Sequence, residues 1–101
     1  MEITKERNGS SLTVALKGRL DTTTAPEAQK VFEGCYEGTT DLVIDFTELA
    51  YISSMGLRLI LMAQKQMMKQ GSMKVVGVNS NIMEVLDDVG FCDIMTIEPA
   101  A

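Results

Sequence analysis

Asp41-Leu42-Val43-Ile44-Asp45-Phe46-Thr47-Glu48-Leu49-Ala50-Tyr51-Ile52-Ser53-Ser54-Met55-Gly56-Leu57 passes from one kind of periodicity to another. Its opening, residues 41–46, is a short and nearly unbroken apolar run that includes β-branched Val43 and Ile44. Such a run predicts a central strand covered on both faces, or nearly so. From residue 54 the period becomes helical. Leu57, Ile60, Leu61, Met67 and Met68 recur on one side, which predicts a buried face on a helix over 54–70 that Gly71 closes. The residues between are expected to cross as a loop. Ser54 stands where the N-cap would be, with its Oγ placed to accept from a first-turn N–H.

Working back from this stretch, residues 2–7 read as an edge strand and Asn8-Gly9-Ser10 as a tight turn. Residues 11–17 alternate, with Leu12, Val14 and Leu16 on one face and Thr13, Ala15 and Lys17 on the other, as a half-buried strand does. A helix then begins with Thr24 as cap, Glu27 completing a capping box and Pro26 in the first turn. Ala28, Val31, Phe32 and Cys35 form its apolar side, and Gly38 is its expected stop. Working forward, residues 73–78 predict another strand. A third helix follows, capped by Asn79 or Ser80, burying Ile82, Val85, Leu86 and Val89 and ending at Gly90. A short last strand is expected near 94–97.

Strand–helix–strand crossovers need parallel neighbours, whereas the opening hairpin is antiparallel. The expected fold is therefore α/β. It has a small mixed sheet, antiparallel at its first strand and parallel at its centre, with the helices packed mainly on one face. Residues 1–101 are expected to form one domain.

Composition narrows the functions. Hydrophobic residues make up 46% and charged residues 23%, which fits a globular chain. The net charge is −5 and no two of the nine basic residues are adjacent, so nucleic acid is not an expected partner. Neither a signal peptide nor an apolar run of membrane-spanning length is read, and the expectation is a cytoplasmic protein with no membrane partner. Cys35 and Cys92 are expected to be buried free thiols. A thiol-dependent sensor or enzyme built on Cys92 is the remote alternative, because Asp93 beside it should raise the thiol pKa. The absence of histidine removes the commonest general base, and there is no phosphate-binding or dinucleotide fingerprint. No metal set, cofactor or catalytic residue is expected. Asp87-Asp88 reads as a solvated helix face.

The informative chemistry is at residues 53–58. Gly56, two places into the helix, is costly there by about 1 kcal/mol relative to alanine, and reads as space for something bulky beside the first turn. A phosphate on Ser54 would meet the free N–H groups and positive dipole end of the helix.

Three motifs together resemble the STAS domain family, the domain shared by sulphate transporters and anti-sigma-factor antagonists. These are Gly18-Arg19-Leu20-Asp21 with the Ala25-Pro26 that follows, Leu42-Val43-Ile44-Asp45-Phe46, and Tyr51-Ile52-Ser53-Ser54-Met55-Gly56-Leu57. The resemblance implies an anti-sigma-factor antagonist. The unphosphorylated form would bind an anti-sigma factor that is itself a serine kinase, phosphorylation of Ser54 would end binding, and a serine phosphatase would reset it. It also implies a partner surface of Asp21, Thr22, Asp45, Ser53, Ser54, Met55, Gly56 and Arg58, with Asp21 and Asp45 at one end of the sheet. Ser53 replaces an aspartate common in the family, which makes it the second candidate acceptor, and Met55 replaces a small residue. The alternative implied by these departures is a docking module that is never phosphorylated.

Overall fold

A computed structural model describes residues 1–100 of the chain. Elements follow in the order β1 (Glu2–Asn8), β2 (Ser11–Leu20), α1 (Ala25–Glu33), β3 (Asp41–Asp45), β4 (Leu49–Ile52), α2 (Ser54–Gln70), β5 (Ser72–Val78), α3 (Ser80–Asp88) and β6 (Thr96–Pro99). The sheet order is β1-β2-β3-β5-β6, with β4 paired to β2 beyond the end of β3. Only β1 is antiparallel to its neighbour. This is the expected mixed α/β sheet with its helices gathered on one face.

The ten-residue strand β2 is the template for the rest. Its Leu12, Val14, Leu16 and Leu20 point into the core, as period-2 alternation requires. Residues 11–15 pair with β3, and after a register shift at Gly18/Arg19 the same strand pairs with β4. Gly18 has φ +102°, a conformation that a side-chain-bearing residue rarely adopts, and its N–H bonds the Glu48 carbonyl at 3.0 Å. That irregularity lets one strand serve two successive partners. The strand is thus three residues longer than its alternation suggested. The segment read as a loop before the second helix contains β4, a strand too short for periodicity to reveal.

Leu42, Ile44 and Phe46 are fully buried beneath the helices, but Val43 and Asp45 on the other face are only half-buried. The central strand is therefore covered on one face, not both. The open face is polar and laced with ion pairs: Lys17 lies 3.4 Å from Glu2 and 3.2 Å from Glu48, and Lys74 lies 3.7 Å from Glu98.

The second helix buries Gly56, Leu59, Ile60, Ala63 and Met67, a stripe at i, i+3, i+4, i+7 and i+11. The expected stripe is rotated relative to this one. Leu57 and Leu61 are half-buried and Met68 is 73% exposed. The reason is the inward glycine: the helix turns its least bulky residue to the sheet, and the stripe follows from there. In α3, Ile82 and Leu86 are buried, Val85 is half-buried, and Val89, at the C-cap, is exposed. Phe91–Asp93 form a 3₁₀ turn that displaces the last strand to Thr96–Pro99, two residues later than expected. The turn leaves Cys92 exposed, while Cys35 is buried. Desolvation, with Asp87 and Asp93 adding to it, pushes the Cys92 thiol up, in the direction its acidic neighbour suggested. Among the described residues, no helix is long and apolar enough to cross a membrane.

Ile44 is fully buried at the centre of the sheet. Ile44→Ala should cost about 2–5 kcal/mol of stability, read as a lower urea midpoint at unchanged slope.

Candidate functional site

Pairing of Leu20 with Ile52 brings the ends of β2 and β4 side by side. The chain leaves β2 toward α1 and leaves β4 toward α2, so both helices start along one edge. The Ser53 N–H donates to the Leu20 carbonyl at 2.8 Å, which ties the two exits together.

Thr24 holds the N-cap position of α1, but it is Asp21 that closes the turn leading into the helix. The Thr24 side chain makes no cap hydrogen bond to the helix, so the expected capping box with Glu27 does not form. Its hydroxyl instead donates to the Arg19 carbonyl (2.8 Å) and accepts from the Asp21 N–H (2.9 Å). Asp21 Oδ1 accepts from the N–H groups of Thr23 (3.0 Å) and Thr24 (3.1 Å) and from the Thr23 hydroxyl (2.7 Å). These bonds, that from the Thr23 hydroxyl foremost, hold its carboxyl below the usual carboxylate range. Its Oδ2 lies 3.7 Å from Arg19 Nε, and the Arg19 guanidinium sits 4.3 Å above the Tyr51 ring.

At α2 the N-cap is Ser53. Its Oγ accepts from the Gly56 N–H at 3.3 Å, and its carbonyl accepts the Leu57 N–H at 2.9 Å. Ser54 is therefore the first residue of the helix proper. It is exposed, and its hydroxyl makes no hydrogen bond among the described residues. The two adjacent serines thus differ in duty, one closing the helix end and one facing solvent.

Gly56 is buried, and the direction of its missing side chain corrects its reading as room for a phosphate. A Cβ there would lie 2.8 Å from Ile52 Cγ1 and 2.8 Å from Leu20 Cγ. The glycine lets α2 settle directly on the paired ends of β2 and β4. It faces the core, away from any group carried by Ser54.

Met55, Arg58 and Met62 lie on the outer side of α2 and, with Ala25, Pro26 and Gln29 of α1, line a small cleft between the helices. Met55 is 40% exposed and Met62 48%, as expected for the two methionines off the apolar stripe.

The family model for the STAS domain matches residues 2–101. The chain belongs to the STAS domain family. It is 28% identical over 97 residues to the anti-sigma-B factor antagonist of Listeria monocytogenes, covering 93% of this chain and 84% of that protein. Solved structures similar to it include an anti-sigma factor antagonist from Mycobacterium paratuberculosis, at 19% identity and TM-score 0.88 over 97% of this chain and 85% of that one. Another is the Bacillus cell fate determinant SpoIIAA in its phosphorylated form, at 16% identity and TM-score 0.76 over 95% and 90%. At these identities the solved structures establish the fold.

Within this STAS domain, Asp21, Thr22, Ser53, Ser54, Met55 and Arg58 gather around the two helix starts. Asp45 does not join them. It ends β3 on the open face of the sheet, where it accepts from the Thr47 N–H (2.9 Å) and Thr47 hydroxyl (2.5 Å) and borders a depression with Lys17 and Glu48. It shares an end of the parallel strands with Asp21 but not a face. Arg19 and Tyr51 were not singled out by sequence, although the pairing of β2 with β4 places them at this edge.

Two outcomes test this geometry. Gly56→Ala should destabilise the protein by about 1–2 kcal/mol, because the overpacking cost exceeds the gain in helix propensity; a raised denaturation midpoint would contradict it. At neutral pH, Asp21→Ala should lower the thermal midpoint more than Asp21→Asn, which keeps an acceptor for the two N–H groups. Because the carboxyl pKa is depressed on folding, its stabilisation is present above the ordinary value of 3.8 and is lost as pH falls below it. The difference between wild type and Asp21→Ala should therefore shrink in that acid range.

Proposed function

We propose that this STAS protein is an anti-sigma-factor antagonist switched at Ser54. The unphosphorylated protein binds an anti-sigma factor that is also a serine kinase, and a sigma factor is released. The kinase then transfers the γ-phosphoryl group of ATP to Ser54 Oγ: the new O–P bond replaces the bond to the β-phosphate, ADP leaves and the hydroxyl proton is given up. A serine phosphatase hydrolyses the ester, and phosphate departs as the hydroxyl is restored. In this reading the protein is a binding regulator, and the chemistry at Ser54 is done by its partners.

The observation that carries the proposal is the division of labour between the serines. An acceptor must be reachable and free of structural duty. Ser54 is exposed with an unengaged hydroxyl, whereas the Ser53 Oγ caps the helix. This favours Ser54 over Ser53, whose modification would cost the helix its cap. The fold is known to carry phosphate, since SpoIIAA was solved phosphorylated. The name of the Listeria relative supplies the partner class.

The switch follows from charge. A phosphate adds about 1.5–2 negative charges at neutral pH to a chain already at −5, on the edge that holds Asp21. A partner surface fitted to the neutral hydroxyl then meets a bulky dianion where contact was made.

Incubation with the anti-sigma kinase and ATP, followed by mass spectrometric mapping, should place the phosphate on Ser54. Labelling should persist in Ser53→Ala and disappear in Ser54→Ala. Ser54→Asp should weaken binding of the anti-sigma factor by at least about tenfold, equivalent to about 1.4 kcal/mol. Undiminished labelling of Ser54→Ala would refute the assignment.

A further inference from the structure

The basic residues near the helix starts differ in what they touch. Arg19 is engaged, with Asp21 at 3.7 Å and the Tyr51 ring beneath it. Arg58 is exposed and, among the described residues, forms neither an ion pair nor a hydrogen bond. Its one-turn neighbours on α2 are Ser54, Met55, Leu61 and Met62, none of them charged. The first turn of α2 also carries no acidic residue. A cation close to the positive end of a helix is poorly placed unless an anion joins it, and this chain has fourteen acidic residues against nine basic ones.

We propose that Arg58 receives the phosphate carried by Ser54, so that phosphorylation withdraws the one cation that lines the α1–α2 cleft among the described residues. The inference rests on Ser54 being the modified residue and adds what the modification does locally. Residues 54 and 58 are at i and i+4 on one face of a seventeen-residue helix. A helical side chain leans toward the N-terminus, over the preceding turn, which for Arg58 is the turn of Ser54. The order is the favourable one, with the anion N-terminal to the cation. Guanidinium and phosphate match in a two-pronged geometry that an ammonium does not reproduce.

The consequence reaches the partner surface. Met55, Arg58 and Met62 form the outer wall of the cleft, so unmodified protein offers apolar contact with a free positive charge at its centre. Once Arg58 folds back onto the phosphate, that charge is neutralised and the cleft keeps an uncharged, mostly apolar lining. Phosphorylation thus acts twice on binding, by adding a dianion at the helix mouth and by removing a cation one turn away. Arg58 is a positioning residue in this account; it takes no part in phosphoryl transfer.

The test uses full-length protein with phosphoserine installed at position 54 during translation, so no kinase is needed. The second ionisation of the phosphate is followed by phosphorus NMR. A nearby cation favours the dianion and lowers the midpoint. Arg58→Gln should raise the midpoint by about 0.2–0.4 unit relative to the otherwise wild-type phosphoprotein. Arg58→Lys should fall between the two, and Arg19→Gln should match wild type. An unchanged midpoint in Arg58→Gln, or an equal rise in Arg19→Gln, would overturn the proposal. Failure of every kinase to modify Ser54 would instead defeat the functional reading, and would leave this midpoint where it is.

Discussion

The hydrogen bond from the Ser53 amide to the Leu20 carbonyl, 2.8 Å long, joins the ends of two strands that lead to different helices. It depends on β2 being long enough to pair first with β3 and then with β4, and on Gly18 permitting the shift between them. It depends also on Gly56, which lets α2 rest on Leu20 and Ile52 without an intervening side chain. Given those contacts, the position of each residue at the junction follows. Asp21 closes the turn before α1, Ser53 caps α2, Ser54 is the next residue out, and Met55 and Arg58 face the cleft beside α1. The fold thereby separates structural groups from available ones within a few residues.

That separation is what a covalent switch requires. A hydroxyl that caps a helix cannot accept a phosphate without loss of the cap, whereas its neighbour at the first helical position can. A phosphate on Ser54 would also arrive where backbone N–H groups and the helix dipole tolerate negative charge. The protein surface around it answers differently. The chain is acidic overall, and the basic groups nearby are Arg19, held by Asp21 and Tyr51, and the uncommitted Arg58. The open face of the sheet, by contrast, has its lysines satisfied by Glu2, Glu48 and Glu98.

Much of this was legible in the amino-acid order. Alternation in β2 and the glycine and proline punctuation around the helices were sufficient for the mixed sheet and the number of helices. What sequence could not resolve were features decided by contacts between distant segments. Four residues of β4 have no period long enough to read, and only pairing with β2 makes them a strand. Ser53 and Ser54 are equally good caps by residue type, and the tie of Ser53 to Leu20 selects between them. Thr24 with Glu27 has the spacing of a capping box, but the Thr24 hydroxyl is drawn away to the Arg19 carbonyl. Gly56 was recognised as unusual, yet composition does not say which way an absent side chain points. Asp45 was placed at the correct end of the sheet, and its face followed only from the burial of Leu42 and Ile44 on the other side.

The claim beneath all of this is that Ser53 belongs to the fold and Ser54 to the surface. Urea denaturation of the two single alanine variants measures it directly. Ser53→Ala should lose about 1 kcal/mol with its cap, while Ser54→Ala should stay within about 0.5 kcal/mol of wild type. Equal losses, or a greater loss in Ser54→Ala, would contradict the account.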